Sequence, residues 1–159
     1  MFGLPLKEVV EYGVMGVLLL MSVIALWASI ERLLFYRYIK LVLYENKTEL
    51  EIDLSKNLTI IATIGSNAPY VGLLGTVFGI ILTFVQIGQS GMVETTSIMT
   101  GLALALYATA GGLLVAIPSI IFYNLLMRKS EVLVAQWEIL EEQGALKGLS
   151  DYKSENLKG

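Results

Sequence analysis

The sequence predicts an all-α membrane protein with three transmembrane helices, its N-terminus outside and its C-terminus inside the cell. Hydrophobic residues make up 55% of the chain, and the mean hydropathy is +0.70. Charged residues account for only 16%, against roughly 25% in ordinary soluble domains. Three apolar runs reach the roughly 20 residues that a helix needs to cross hydrocarbon. Their order along the chain defines the predicted elements.

The first apolar run predicts a transmembrane helix over residues 12–36, preceded by a periplasmic segment over residues 1–11. Residues 12–30 carry no charge, and the stretch SIERLLFYRYIK follows them. Basic residues therefore follow the run instead of preceding it, and ALWASIER lacks a convincing cleavage site. We expect a retained helix and not a cleaved signal peptide.

The second and third transmembrane helices are predicted over residues 64–90 and 98–127, with a periplasmic loop at 91–97 between them. The uncharged runs that contain them, 57–93 and 95–127, are longer than hydrocarbon requires. Both helices are therefore expected to extend into the cytoplasm. The predicted connection over residues 37–63 is cytoplasmic, and its polar, acidic part is too short to form a separate core.

The distribution of Lys and Arg predicts the orientation, because these residues concentrate in cytoplasmic segments. The loop between the second and third helices has none, and the N-terminal segment has only Lys7. The basic residues that follow the uncharged runs of the first and third helices are Arg32, Arg37, Lys40, Lys47, Lys56, Arg128, Lys129, Lys147, Lys153 and Lys158.

Residues 128–159 are predicted to form a cytoplasmic helix and then a mobile tail. Leu133, Trp137 and Leu140 recur at the spacing of one helix face. Gly144 is the residue type that commonly ends a helix.

Small residues and threonines share one face of the second predicted helix. Gly72, Thr76, Gly79 and Thr83 are spaced by four, three and four residues, which places them on one side. Gly75 and Gly79 also form a GxxxG pair. The third predicted helix repeats this kind of spacing with Gly101, Ala105, Ala108, Gly112, Ala116 and Ser119, and Thr109 lies beside that line.

Two interpretations of these faces remain open from the residues alone. Small residues allow close packing of membrane helices, and Gly72, Gly75, Gly79 and Gly112 are the predicted packing positions. A membrane threonine can simply bond the carbonyl one turn back. In the other interpretation, the threonines serve a proton pathway. Pro118 removes one helical hydrogen bond and predicts a kink.

Composition excludes several classes of function. The chain contains no histidine and no cysteine, so we expect no catalytic residue, no metal site, no cofactor and no enzyme activity. A net charge of −3 argues against nucleic acid as a partner. The second and third helices carry no Asp, Glu, Lys or Arg, the residues that normally mark ion paths. Any proton-carrying acid must therefore come from another chain.

Two segments, NAPYVGLLGTVFGIILTF and GLALALYATAGGLLVAIPSIIFYN, resemble the second and third transmembrane helices of the MotA/TolQ/ExbB proton-channel family. Within it the ExbB/TolQ branch is the most similar, with ExbB first and TolQ next. The resemblance implies a multi-pass protein of the bacterial inner membrane that forms a homo-oligomeric, pentameric ring among membrane lipids. It implies a single-span partner like ExbD or TolR that carries an intramembrane Asp, and a further partner like TonB or TolA.

The resemblance also assigns positions. Thr76 and Thr109 match the threonines of the proton pathway, and Pro118 matches the family proline. Thr83 is a further predicted pathway position because it shares the helix face of Thr76. Leu104 stands where many relatives carry a glutamate, so this protein does without that carboxylate or places it elsewhere. The short connection argues against a flagellar stator.

Three functions are compatible with these residues. The first is a proton-driven subunit that energises TonB-dependent import across the outer membrane. The second is the corresponding TolQ-like subunit of the Tol-Pal system. The third is a structural membrane scaffold that conducts nothing, for which changes of threonine to valine should be neutral.

Overall fold

The computed structural model describes residues 3–90, 95–144 and 148, and four α-helices account for most of them. They are α1 (Gly3–Tyr38), α2 (Lys47–Ser55), α3 (Leu58–Ser90) and α4 (Thr95–Glu142). A single 3-10 turn, Leu41–Leu43, lies between α1 and α2. The predicted loop residues 91–94 and most of the predicted tail lie outside the described residues.

Three of these helices, α1, α3 and α4, are long and apolar enough to cross a membrane. This confirms the all-α fold with three candidate spans. In α4, 48 residues form one continuous helix, which at 1.5 Å per residue measures roughly 72 Å. The predicted third span and the predicted cytoplasmic helix are therefore one element. Gly144, with φ +72°, follows its end and confirms the predicted glycine cap.

The helix α2 was not predicted from the polar connection between the first two spans. The side chain of Asn46 caps it by accepting a hydrogen bond from the backbone N–H of Glu49 at 2.8 Å, a common way to start a helix. The turn into α3 passes through Asn57, whose φ of 64° is a left-handed conformation that asparagine tolerates.

A hydrophobic cluster at the Lys- and Arg-rich end of the bundle holds α2 against the three long helices. Leu50 and Leu54 of α2 are fully buried there. The other buried members are Ala28, Tyr36, Leu58, Ile61, Leu126 and Trp137. The connection thus has no core of its own but completes a shared one.

Polar contacts fix the same end of the bundle. The Tyr36 hydroxyl donates to the Leu54 carbonyl at 2.5 Å, and the Trp137 indole donates to the Tyr44 carbonyl at 3.1 Å. The buried Arg32 guanidinium donates to the Asp53 carbonyl at 2.8 Å. Burial, together with a hydrogen bond to Asp53, raises the pKa of the Tyr44 hydroxyl to about 12.

Truncating Leu54 to alanine should lower the free energy of unfolding by about 2–5 kcal/mol, the usual cost of a cavity in a packed core. Thermal unfolding of the purified protein in detergent measures this change. Ile52→Ala is the matched control, since Ile52 lies on the same helix and is 65% exposed. Equal melting temperatures for the two variants would contradict the packing of α2 described above.

Candidate functional site

The contact between α3 and α4 is a tight, antiparallel crossing built on glycine and alanine. A Cβ atom at Gly72 would lie 2.6 Å from the carbonyl oxygen of Ala108 and 3.1 Å from the Cα of Gly112. A Cβ at Gly112 would lie 2.6 Å from the carbonyl oxygen of Ala68. The two distances of 2.6 Å to carbonyl oxygens are shorter than real Cβ atoms show. Only glycine therefore fits at Gly72 and Gly112 without a shift of the backbone.

Two further glycines lie in helix contacts on α3. A Cβ at Gly79 would lie 2.7 Å from the Cβ of Ala105, and one at Gly75 would lie 2.7 Å from the Cβ of Ala108. Gly75 also faces α1, because its added Cβ would be 2.8 Å from Val14. Close backbone approach of this kind is how membrane helices gain dispersion contacts.

This close approach brings Thr76 of α3 and Thr109 of α4 into direct hydrogen-bond contact, hydroxyl to hydroxyl. The Thr76 hydroxyl also lies 3.1 Å from the Ala105 carbonyl oxygen across the crossing and 3.4 Å from the Gly72 carbonyl one turn back. The Thr109 hydroxyl lies 3.5 Å from the same Gly72 carbonyl. We call Thr76 and Thr109 the threonine pair.

The threonine pair can exchange donor and acceptor roles. Each hydroxyl has one hydrogen to donate and lone pairs to accept with, and either oxygen can be the donor of the bond between them. When Thr109 donates to Thr76, Thr76 can donate to Ala105; when Thr76 donates to Thr109, Thr109 can donate to Gly72. Both hydroxyls are part-buried. The hydrogen bonds of the pair can therefore run in either direction, with either hydroxyl as the donor between them.

The structure separates Thr83 from the threonine pair, although all three threonines were predicted to serve one pathway. Thr83 lies seven residues beyond Thr76, which is roughly 10 Å along α3. Its side chain is buried against Gly101 of α4. Its hydroxyl donates to the Gly79 carbonyl at 2.8 Å, which is the bond one turn back that membrane threonines commonly make.

Two other predicted positions lie outside the crossing. Pro118 is exposed inside α4, which continues through it. Leu104 is 39% exposed and immediately precedes Ala105. Neither residue contributes to the threonine pair.

Sequence reasoning missed two parts of this site. The carbonyl oxygens of Gly72 and Ala105 serve as acceptors, and backbone groups leave no sequence signal. Gly65 is a further tight contact, since a Cβ there would lie 2.8 Å from the side chain of Ile120. Its place seven residues before Gly72 on the same helix face could have indicated it.

No cluster of three or more His, Cys, Asp or Glu that could hold a metal ion occurs among residues 3–90, 95–144 and 148. The hydrogen-bonding groups that meet at the threonine pair are hydroxyls and backbone carbonyls.

Comparison with known proteins gives consistent matches. Residues 36–139 match the profile of the MotA/TolQ/ExbB proton channel family. The chain is 56% identical over 135 residues to the biopolymer transport protein ExbB of Aquifex aeolicus, which covers 85% of this chain and 91% of that protein. It is 55% identical over 134 residues to the putative biopolymer transport protein ExbB-like 2 of Helicobacter pylori, covering 84% and 89%. The Tol-Pal system protein TolQ of Pseudomonas aeruginosa is 41% identical over 87 residues, covering 55% and 38%.

Proposed function

This chain belongs to the MotA/TolQ/ExbB proton channel family, as its motifs predict, and we propose that it is a motor subunit of the bacterial inner membrane. In this proposal it uses the proton-motive force, together with an ExbD-like partner, to energise TonB-dependent import across the outer membrane. The high identity to proteins named ExbB over most of their length supports the ExbB role.

The threonine pair is the observation that carries the proposal. It places two exchangeable hydroxyls between two long helices, and residues 58–90 and 95–127 contain no Asp, Glu, Lys or Arg. Hydroxyls can relay protons but cannot store one as a carboxyl group does. The pair is therefore half of a site, and a carboxyl group on a partner chain supplies the other half.

The proposed cycle follows from the cost of charge in an apolar environment. A partner aspartate near the threonine pair would be far more costly ionised than protonated, so it takes up a proton from outside before it moves through the apolar layer. Each proton that crosses supplies about 2.3 kcal/mol per 100 mV of potential. The carboxyl group exchanges hydrogen bonds with the pair, and its protonation state changes the position of the partner helix.

The assembly in this proposal is a pentameric ring of this chain around the partner, with the N-terminus outside and the C-terminus inside. The Lys and Arg residues gather at one end of the bundle, which supports the proposed orientation. The outer faces of α1 and α4 are rich in exposed Leu, Ile and Val, which suits contact with lipid or with further copies of the chain.

A TolQ-like role in the Tol-Pal system is the second candidate. The identity of 41% to TolQ of Pseudomonas aeruginosa favours it, although that match covers only 55% of this chain. The two roles differ in the partner chain and share the threonine chemistry.

Purification of the chain with its native partners tests the proposal. We expect a single-span protein with an intramembrane Asp to copurify, and its Asp→Asn variant to abolish import driven by the proton-motive force while leaving the complex assembled. ExbD-like and TolR-like sequences of that partner distinguish the two candidate roles. Full import with the Asp→Asn partner would favour a structural scaffold instead.

A further inference from the structure

The outward face of α3 changes from polar to apolar midway along the helix. Its first half presents a line of exposed polar side chains, which we call the polar stripe. The stripe consists of Thr59, Thr63, Ser66, Asn67 and Tyr70. At 3.6 residues per turn these five positions lie within an arc of about 100°. Beyond them the same face continues with the exposed apolar residues Leu73, Leu74, Val77 and Ile81.

Packing contacts fix the level of the polar stripe within the bundle. At one end Leu58 of α3 belongs to the buried cluster that also contains Ala28 of α1 and Leu126 of α4. At the other end Ala68 packs with Leu18 and Ala116. The stripe therefore lies mainly beside residues 18–28 of α1 and 116–126 of α4.

The outward faces of the neighbouring helices at this level are apolar. On α1 the exposed residues are Leu19, Leu20, Val23, Ile24, Leu26 and Trp27. On α4 the exposed large hydrophobic residues are Ile117, Ile120, Ile121, Phe122 and Leu125. Asn124 is the exposed polar exception on α4. Two of the three long helices are thus suited to lipid at the level where α3 is polar.

The charges that flank the first apolar run set the position of the hydrocarbon. Residues 12–30 are uncharged, with Glu11 before them and Glu31 after them. Their length is roughly 28 Å at 1.5 Å per residue, close to the roughly 30 Å of a hydrocarbon core. Asn57 donates to Glu31 at 3.0 Å, so the boundary of the hydrocarbon lies just before the stripe. On this placement the stripe lies at hydrocarbon depth, and the second span begins near residue 58 instead of at the predicted residue 64.

Polar side chains at this depth are poorly suited to lipid. The Ser66 hydroxyl and the Asn67 amide donate to the Thr63 carbonyl at 3.1 and 2.8 Å. These bonds use donor hydrogens, while the acceptor lone pairs of Asn67 and Tyr70 are solvated far better by water than by hydrocarbon. At membrane depth such side chains either hydrogen-bond across to another helix or face a water-filled cavity, and among the described residues no other helix of this chain covers the stripe.

We propose that the polar stripe lines a water-filled vestibule, open at the Lys- and Arg-rich end of the bundle, into which protons pass from the level of the threonine pair. This proposal rests on the proposed function, because protons need a route to the cytoplasm only if the assembly moves them. The stripe ends at Tyr70, roughly 9 Å along α3 from Thr76. The apolar residues beyond it close the vestibule toward the outer side.

Thiol accessibility tests the vestibule, and the chain is suited to it because it contains no cysteine. Thr63→Cys and Ser66→Cys report on the stripe. Val23→Cys on α1 and Ile121→Cys on α4 are matched controls at the same level of the bundle. The native Val23 and Ile121 side chains are 56% and 52% exposed. Each variant is produced with its partner chains and treated, in inverted membrane vesicles, with a charged, membrane-impermeant methanethiosulfonate reagent.

The stripe cysteines should react at least about ten-fold faster than the controls, because a thiol must ionise to react and does so in water and not in lipid. Unreactive stripe cysteines would mean that another protein surface covers the face, which overturns the proposal. If the α1 and α4 controls react as fast as the stripe cysteines, the whole level of the polar stripe lies in the cytoplasm. That result would also overturn the proposal. Because the readout is chemical modification and not import, it can fail or succeed independently of the proposed function.

Discussion

Replacing Thr76 or Thr109 with valine should reduce import driven by the proton-motive force by about ten-fold or more, because the part-buried hydroxyl that is lost makes a hydrogen bond of about 1–1.5 kcal/mol. Valine keeps the shape of threonine and removes only the hydroxyl. Either substitution breaks the bond across the α3–α4 crossing and leaves a single hydroxyl that can no longer exchange roles with a neighbour. The measurement is uptake through an outer-membrane receptor at matched expression.

Two comparisons separate a relay from a packing role. Serine at either position retains the hydroxyl and should restore most of the import, although it loses the methyl group. Thr83→Val is the matched control on the same helix, because the Thr83 hydroxyl bonds only its own helix at Gly79 in the described contacts. We expect that variant to import at nearly the native rate. Normal import by both Thr76→Val and Thr109→Val would remove the threonine pair from the mechanism.

The double variant adds a test of whether the two hydroxyls act as one unit. Residues that work together show non-additive effects when both are removed. The variant with both threonines replaced should therefore be about as inactive as either single variant. Thermal unfolding should change by only about 1 kcal/mol for each lost hydrogen bond, so a large loss of import with a small loss of stability identifies the relay.

The sequence alone predicted the three candidate spans because uncharged apolar runs of that length are typical of transmembrane helices. It also predicted that Gly72, Thr76 and Gly79 share a face, since helical periodicity fixes that relation. Periodicity does not fix the register between helices. Which threonine of α3 meets Thr109, Thr76 or Thr83, depends on how far α4 slides along α3, and the packing at Gly72 and Gly112 determines that register.

The helix α2 escaped prediction for a different reason. Its composition is polar, and its local helical signals are the capping residue Asn46 and the pair Leu50 and Leu54, spaced by one turn. The stability of this helix comes from burying that pair against α1, α3 and α4. A short helix gains most of its stability from such tertiary contacts and little from its own propensity, so a reading of the local sequence underestimates it.

Gly72→Ala should both destabilise the bundle and abolish import, because the added methyl group has no space in the crossing. Its carbon would lie 2.6 Å from the Ala108 carbonyl oxygen and 3.1 Å from the Cα atoms of Thr109 and Gly112. These are backbone atoms, so the helices must move apart. Overpacking of this kind typically costs about 1–3 kcal/mol, and the movement also lengthens the bond between Thr76 and Thr109.

Gly88→Ala is the matched control for this substitution. It lies on the same helix, and an added Cβ would meet nothing within 4 Å apart from the adjacent backbone of that helix. Alanine is a better helix former than glycine by up to about 1 kcal/mol, so Gly88→Ala should leave the melting temperature unchanged or raise it. Opposite signs for the two variants in thermal unfolding, with loss of import only for Gly72→Ala, would tie the backbone contact at Gly72 to the geometry of the threonine pair. A stable and active Gly72→Ala variant would show that the crossing can widen without consequence, which contradicts this account of the site.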